Sequence, residues 1–288
     1  MRITITGASG LIGTKLVAAL TQRGDEITTL SRRTNWDPLS QPAPAELLAG
    51  RDAVVHLAGE NVAQRWNDTS RKAIRESREL GTRHLVEGIA QADPRPAALV
   101  SSSAVGYYGP HGEERLDEDA APGSDFLAQV CVAWEREAQA ATQLGVRVVT
   151  VRTGVVLDKQ GGALSKMLPP FKLGGGGPVA GGRQYMPWIH VDDVVGIYLR
   201  AIDDPAWSGP VNATAPEPVT NRTFSRALGK ALRRPAIAPI PGAAIRLLYG
   251  DMAEIVTTGQ RAIPRRTQEL GYAYLHPELD EALRAAVS

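Results

Sequence analysis

The residues with most chemistry to offer stand near the start of the chain, where Thr6-Gly7-Ala8-Ser9-Gly10-Leu11-Ile12-Gly13 follows a β-branched run and leads into a helical pattern. A G-x-x-G-x-x-G loop between strand and helix brings backbone close to a diphosphate. Gly7 permits the tight turn, Gly10 the close approach, and Gly13 the packing of helix on sheet. Free N–H groups at the helix start and the helix dipole favour the negative charge. Gly7, Ser9, Gly10, Leu11, Ile12 and Gly13 are therefore expected to hold the phosphates of a dinucleotide. Some 20 residues beyond such a loop, an NAD-preferring site places a carboxylate for the ribose 2′-OH. Here that place reads Ser31-Arg32-Arg33. Guanidinium groups make bidentate, charge-assisted bonds to a phosphate dianion, so Ser31, Arg32 and Arg33 point to NADP rather than NAD. Further on, Leu57-Ala58-Gly59 offers small residues against which adenosine and ribose can lie.

These groups need a sheet to position them, and the first half of the chain alternates short β-branched runs with longer helical patterns, the signature of stacked βα units. The patterning predicts strands at Ile3 to Thr6, Glu26 to Leu30, Ala53 to Leu57, Ala98 to Ser102 and Arg147 to Val151. It predicts helices at Leu11 to Arg23, Asp68 to Ala92 and Ser124 to Leu144, the last with Phe126, Val130, Trp134, Ala138 and Ala141 on one face. Beyond Thr153, Gly161-Gly162, Pro169-Pro170 and Gly174 to Pro178 break the pattern. The chain is then expected to rejoin the sheet with strands near Gln184 to Ile189 and Gly209 to Ala213, separated by a helix from Val191. The fold class is α/β: a Rossmann-like parallel sheet flanked by helices, with a smaller discontinuous C-terminal lobe. The expected division is a dinucleotide domain at 1–157, completed by 184–214, and a lobe at 158–183 and 215–288. The Gly174 to Gly177 run follows a helix and reads as a flexible rim or lid hinge, while Asp192 and Asp193 read as helix caps.

The chain has 288 residues, 43% hydrophobic and 22% charged, with 32 Lys and Arg against 31 Asp and Glu. So balanced a charge leaves no general basic field to attract nucleic acid or an anionic membrane, and no apolar run reaches the roughly 20 residues of a membrane span. One cysteine, Cys131, cannot form an intrachain disulfide, and a cytoplasmic location is expected. It reads as a small buried hydrophobe, and His56 as a core histidine. The five histidines are scattered along the chain without zinc-like spacing, so no metal is expected.

The Gly7 to Gly13 loop, Leu57-Ala58-Gly59, Ser101-Ser102-Ser103 with Tyr107-Tyr108-Gly109, and His190-Val191-Asp192-Asp193 together resemble extended short-chain dehydrogenases. Gly59-Glu60-Asn61, Arg65-Trp66, Trp134-Glu135, Arg152-Thr153-Gly154, Pro187-Trp188-Ile189-His190 and His276-Pro277-Glu278-Leu279 narrow the resemblance to the atypical epimerase/dehydratase-like branch. Extended members carry Tyr-x-x-x-Lys on the helix after the fourth strand. Aligned on Trp134-Glu135, those positions hold Leu127 and Cys131, neither of which can replace the acid and its lysine. Before His190, where sugar-nucleotide enzymes place an arginine, stands Tyr185-Met186-Pro187.

The resemblance implies that Ser103 orients a reacting carbonyl or hydroxyl, that Tyr107 or Tyr108 substitutes for the lost phenol, and that Arg78 reaches the cofactor phosphates. The expected function is an NADP(H)-binding oxidoreductase or epimerase-like enzyme acting on a small polar or carbonyl-bearing molecule. The alternative, favoured by the loss of Tyr-x-x-x-Lys, is a catalytically silent NADP(H)-responsive binding or regulatory protein.

Overall fold

In the computed structural model, which describes residues 1–288, six strands join in one parallel sheet: β1 (Arg2–Thr6), β2 (Glu26–Leu30), β3 (Ala53–His56), β4 (Ala98–Ala104), β5 (Arg147–Thr153) and β6 (Gly209–Ala213). Their order is β6-β5-β4-β3-β1-β2. The order reverses between β1 and β3, which opens a crevice at the carboxyl ends of the strands. Successive side chains alternate between the two faces. Ile3, Ile5, Val55, Val100 and Val149 pack against α1 (Leu11–Arg23) and α5 (Val191–Asp203). Val54, Leu99 and Val148 join Leu85 and Ile89 of α2 (Asp68–Gln91) and Ala138 of α3 (Phe126–Gln139) on the other. Burial on both faces explains why these strands read as nearly continuous apolar runs.

The helix starts are set by side-chain caps. Asn67 and Ser70 exchange bonds in a capping box at α2, and the Asp125 carboxylate accepts the N–H groups of Leu127 and Ala128 at α3. That cap starts α3 two residues after the expected Ser124, and a 3-10 segment, Ala140–Leu144, finishes what was expected as one helix.

The stretch Gln184 to Ile189 does not rejoin the main sheet. Pro187 splits it: Tyr185–Met186 pairs antiparallel with Val219–Thr220, and Trp188–His190 pairs parallel with Val155–Leu157. Proline has no N–H for a ladder, and Gly209 to Ala213 already occupies the edge beside β5. These ribbons carry the chain over the ends of the strands. A second apolar cluster lies beyond them, where Leu164 and Phe171 of α4 (Gly162–Lys172) meet Phe224 of α6 (Asn221–Leu232) and Leu283 of the final helix, Leu279–Val287.

Two local expectations change. In the Gly174 to Gly177 run the second half is packed, because a Cβ on Gly176 would lie 2.3 Å from the Phe171 ring and one on Gly177 2.0 Å from the Ala238 carbonyl oxygen, while Gly174 and Gly175 have room around them. At α5 the cap is His190, whose Nδ1 accepts the Asp192 N–H. Asp193, fully buried, accepts the backbone N–H groups of Leu275 and His276 and the Tyr272 hydroxyl, holding the C-terminal segment to the sheet domain. No helix is long and apolar enough to cross a membrane.

Candidate functional site

At the end of β1 the chain turns through Gly7 at φ +70°, in the left-handed region that favours glycine. A Cβ there would lie 2.6 Å from the Leu57 backbone, and one on Gly13 would lie 2.3 Å from the Gly7 carbonyl oxygen. Gly7 lets the loop sit on the chain leaving β3, and Gly13 lets the start of α1 pack on the loop. Gly10 begins α1 in an extended conformation with no side-chain cap, and the nearest atom to a Cβ built on it is 3.3 Å away. The loop and helix start line a cavity of ≈ 360 Å³, closed by Leu57, Ser102, Val156 and the start of α4. An uncapped helix N-terminus facing such a cavity suits a phosphate-bearing ligand.

Of the residues expected around that ligand, Gly7, Gly10, Leu11, Ile12, Gly13 and Leu57 line this cavity, whereas Ser9 is exposed and does not. Ala58 lies beside it, its N–H donated to the Thr6 hydroxyl. Ser31, Arg32 and Arg33 follow β2, exposed, beside the strand that carries the loop. Ser31 bonds Thr34 across the turn, while the two arginines form no ion pair, so their charge is free for an anion. His56 lies fully buried between the Thr6 and Thr82 hydroxyls, and burial, with help from Arg78, pushes its pKa down to about 4. It is a neutral core histidine.

A second cavity of ≈ 320 Å³ adjoins the first, the two sharing Gly154, Val155 and Ala163. This side-chain arm is assembled from distant segments: Val62 and Trp66 after β3, the end of β4, one face of α3, Met167 of α4, Tyr185 to Pro187, and Glu254 to Gln260 from the C-terminal region. Leu127 and Cys131, one helical turn apart, both face it. Burial, with the Glu135 charge adding, pushes the Cys131 thiol up to about 12, so the sulfur stays protonated and inert near neutrality. Arg78 reaches in from α2, donating from Nη1 to the carbonyls of Glu60 (3.0 Å) and Ile74 (3.2 Å), with its guanidinium 5.0 Å from the centre of the Trp134 ring and beside Gly59. Two buried polar atoms on this lining have no partner, Trp134 Nε1 and Asp125 Oδ2.

Ser103, Tyr107 and Tyr108 are brought together, but none lines the cleft. The alternation along β4 turns Ser102 and Ala104 toward it and Ser103 away. Ser103 Oγ donates to Glu135 (2.6 Å), which accepts two bonds from Arg152 (2.8 and 2.9 Å). Arg152 in turn donates to the Tyr108 hydroxyl (3.0 Å), which donates to Asn212 (2.7 Å), and the Tyr107 ring centre lies 3.5 Å from the guanidinium. Burial opposes the arginine's charge, but its bonds to Glu135 outweigh that and raise its pKa, while burial raises that of Tyr108. The three residues belong to a buried network beneath the turn after β4. Period-two alternation could have separated Ser102 from Ser103. Ser102 Oγ lies 2.7 Å from the hydroxyl of Tyr198, a partner on α5 that no local pattern announced.

The scattered histidines also converge once. His190 and His276 lie with ring centres 3.9 Å apart, tilted by 48°, and the Asp192 carboxylate is 3.5 Å from each. One ligand atom from each of His190, Asp192 and His276 lies within 4.8 Å of the others, a grouping that the separation of His276 from the other two in sequence did not announce, and burial together with the neighbouring imidazole lowers the pKa of His190. Neither ring lines the cleft.

A model of the NAD dependent epimerase/dehydratase family matches residues 3–213, and a domain of unknown function (DUF1731) matches residues 240–286. The epimerase family protein Mb2239 of Mycobacterium bovis is 42% identical over 295 residues, covering 99% of this chain and 97% of that relative. Among solved structures, human epimerase family protein SDR39U1 (isoform2) with NADPH superposes with a TM-score of 0.90 at 38% identity, covering 99% of each chain. A nucleoside-diphosphate sugar epimerase from Corynebacterium glutamicum superposes at 0.81 and 37% identity, covering 100% of this chain and 58% of that one.

Proposed function

Because the chain belongs to the NAD dependent epimerase/dehydratase family, we propose that it binds NADP(H) along the glycine arm and acts as an oxidoreductase or epimerase-like enzyme. Its substrate is a small carbonyl- or hydroxyl-bearing molecule held in the side-chain arm. The observation that carries this reading is the junction of the arms: Gly154, Val155 and Ala163 line both, so a ligand in one abuts a ligand in the other. The NADPH in the human relative supports it, and a glycine cradle with no side chain to fill it fits such a group. When bound, the nicotinamide supplies hydride chemistry. Around it, the backbone of Gly7 to Gly13 holds the diphosphate, Leu57 to Gly59 support the adenosine half, and Arg32 and Arg33 engage the 2′-phosphate. Arg78, stacked on Trp134 beside Cys131, is the cation nearest the place a lysine would take on α3, and it orients the cofactor's inner half. The lobe formed by 158–183 and 215–288 supplies the outer wall of the substrate arm, and the protein works in the cytosol.

Titration calorimetry with NADPH and NADH tests this. NADPH binds at least tenfold more tightly, and Arg32→Ala/Arg33→Ala removes the preference while leaving NADH unchanged. If neither dinucleotide binds, the reading fails. A second reading, a catalytically silent NADP(H)-responsive protein, is favoured by the absence of an acid of ordinary pKa at Ala104, Leu127 and Cys131. NADPH oxidation accelerated by the protein with any carbonyl substrate removes it.

A further inference from the structure

Resting on that reading, we infer that the substrate arm takes an apolar, conjugated carbonyl compound of the quinone class, and not a sugar nucleotide. The first ground is charge. A nucleoside diphosphate needs cations, yet Arg78 is the one Lys or Arg on the lining of this arm, and it is already bonded to two carbonyls beside the α3 face. Asp125 and Glu254 line the same cavity and repel a diphosphate.

The second ground is how the polar lining is spent. Asn221 accepts the Val179 N–H through its side chain, Gln260 donates to the Val105 carbonyl, Thr258 donates to the Glu254 carbonyl, and Asp125 caps α3. The rest of the wall is largely apolar, with Val62, Trp66, Leu127, Met167, Met186 and Ile255, and Trp134 Nε1 and Asp125 Oδ2 are the buried polar atoms left there without a partner. A cavity of ≈ 320 Å³ with this lining matches the general form of an apolar small-molecule pocket.

The third ground is the mouth. Ile255 on the lining is 43% exposed, and α7 (Gly242–Tyr249), which buries no residue of its own, presents Leu247 and Leu248 at 77% and 64% exposure. One end of α7 is tied to the Trp66 wall by Arg65, which donates to the Leu247 carbonyl, and Gly242 at the other end lies against Thr257. Apolar side chains therefore stand at the mouth, with Glu254 the acidic group beside them.

Chemistry selects among apolar carbonyls. Reducing an isolated ketone develops an alkoxide that needs a nearby acid, and the end of β4 and the α3 face, where the family acid stands, hold Ala104, Leu127 and the protonated Cys131 thiol, none suited to that task. The one phenol on the lining, Tyr185, stands instead on the ribbon paired with Val219–Thr220, with Arg261 over its ring. A quinone receives the hydride, spreads the negative charge over its ring and oxygens as the hydroquinone monoanion, and takes the remaining proton from water at the mouth. One NADPH and one proton are consumed for each hydroquinone formed.

The test uses the purified full chain with 2-methyl-1,4-naphthoquinone, the saturated bicyclic ketone 1-decalone, and UDP-glucose. Calorimetry on the dinucleotide-free protein reads binding, and absorbance at the NADPH band reads turnover. The naphthoquinone binds and accelerates NADPH oxidation, whereas UDP-glucose does not bind and 1-decalone is not reduced. Ile255→Glu, at the exposed mouth, weakens naphthoquinone binding roughly tenfold and leaves NADPH affinity unchanged. Binding of UDP-glucose, reduction of 1-decalone, failure of the naphthoquinone to bind, or an Ile255→Glu variant with unaltered naphthoquinone affinity each overturns this inference while leaving NADP(H) binding in place. Failure of NADPH itself to bind overturns the reading on which it rests.

Discussion

The two arms of the cleft are built on opposite principles. The glycine arm centres on backbone: one turn and one helix start, set by Gly7, Gly10 and Gly13, whose importance is the lack of a side chain, with Leu57, Ser102 and Val156 closing the space over them. The other arm is side chains brought from separate segments spread between Val62 and Gln260. The difference teaches where specificity can change. A backbone cradle tolerates almost no substitution at its glycines and so keeps one ligand class, whereas an assembled wall can exchange Tyr and Lys for Leu and Cys without disturbing the fold.

The sharpest challenge to that contrast lies beneath the assembled arm. Arg152→Met leaves Glu135 as an uncompensated buried charge and takes a donor from the Tyr108 hydroxyl, so it should cost about 3–5 kcal/mol of unfolding free energy, read by urea denaturation. A loss below about 1 kcal/mol would mean that the network does not support the turn after β4. On the glycine side, Gly7→Ala forces a Cβ into the Leu57 backbone at positive φ. It should weaken NADPH binding at least tenfold, equivalent to about 1.4 kcal/mol. Calorimetry checks this, and affinity within threefold of the parent would show that the loop does not need to lie on the chain leaving β3.

A pH-dependent effect sits at the seam, where His56 joins Thr6 of the glycine arm to Thr82 of α2, the helix that also carries Arg78. Its folded pKa, about 4, lies below the usual 6.5 because burial disfavours the charged ring. The unfolded chain therefore binds the proton more readily, and the stability this neutral ring contributes is complete above pH 6.5 and lost as pH falls toward 4. Between pH 7 and pH 4.5 the loss is roughly 2 kcal/mol. Urea midpoints measured for the parent and for His56→Gln should converge at the acid end, and parallel curves would refute the assignment.

The legibility of the molecule follows the same division. The strands at Glu26 to Leu30 and Gly209 to Ala213 and the helix at Leu11 to Arg23 appear where the apolar periodicity places them. Each is a local pattern read against one buried face. The split at Pro187 was visible as a residue without an N–H, but its consequence depended on which strand reached the β5 edge first, a non-local matter. In the site, Leu127 and Cys131 stand on the cleft as the alignment on Trp134-Glu135 implies. Ser103 and Tyr108 look the same in sequence whether they meet substrate or Arg152. What distinguishes them is Glu135, 32 residues on from Ser103, and Asn212, 104 residues on from Tyr108, and no local pattern encodes such partners.

The bond network around Asp193 bears on how the protein is made. The outer wall of the substrate arm, Glu254 to Gln260, precedes the Tyr272 to His276 segment that this carboxylate grips. On a ribosome the βα units through β5 are translated first and can dock their helices as they emerge. The grip closes only after His276 has cleared the exit tunnel. Until then the nascent chain carries its glycine cradle with the neighbouring chamber open on one side, and the segment that Asp193 grips is what closes it.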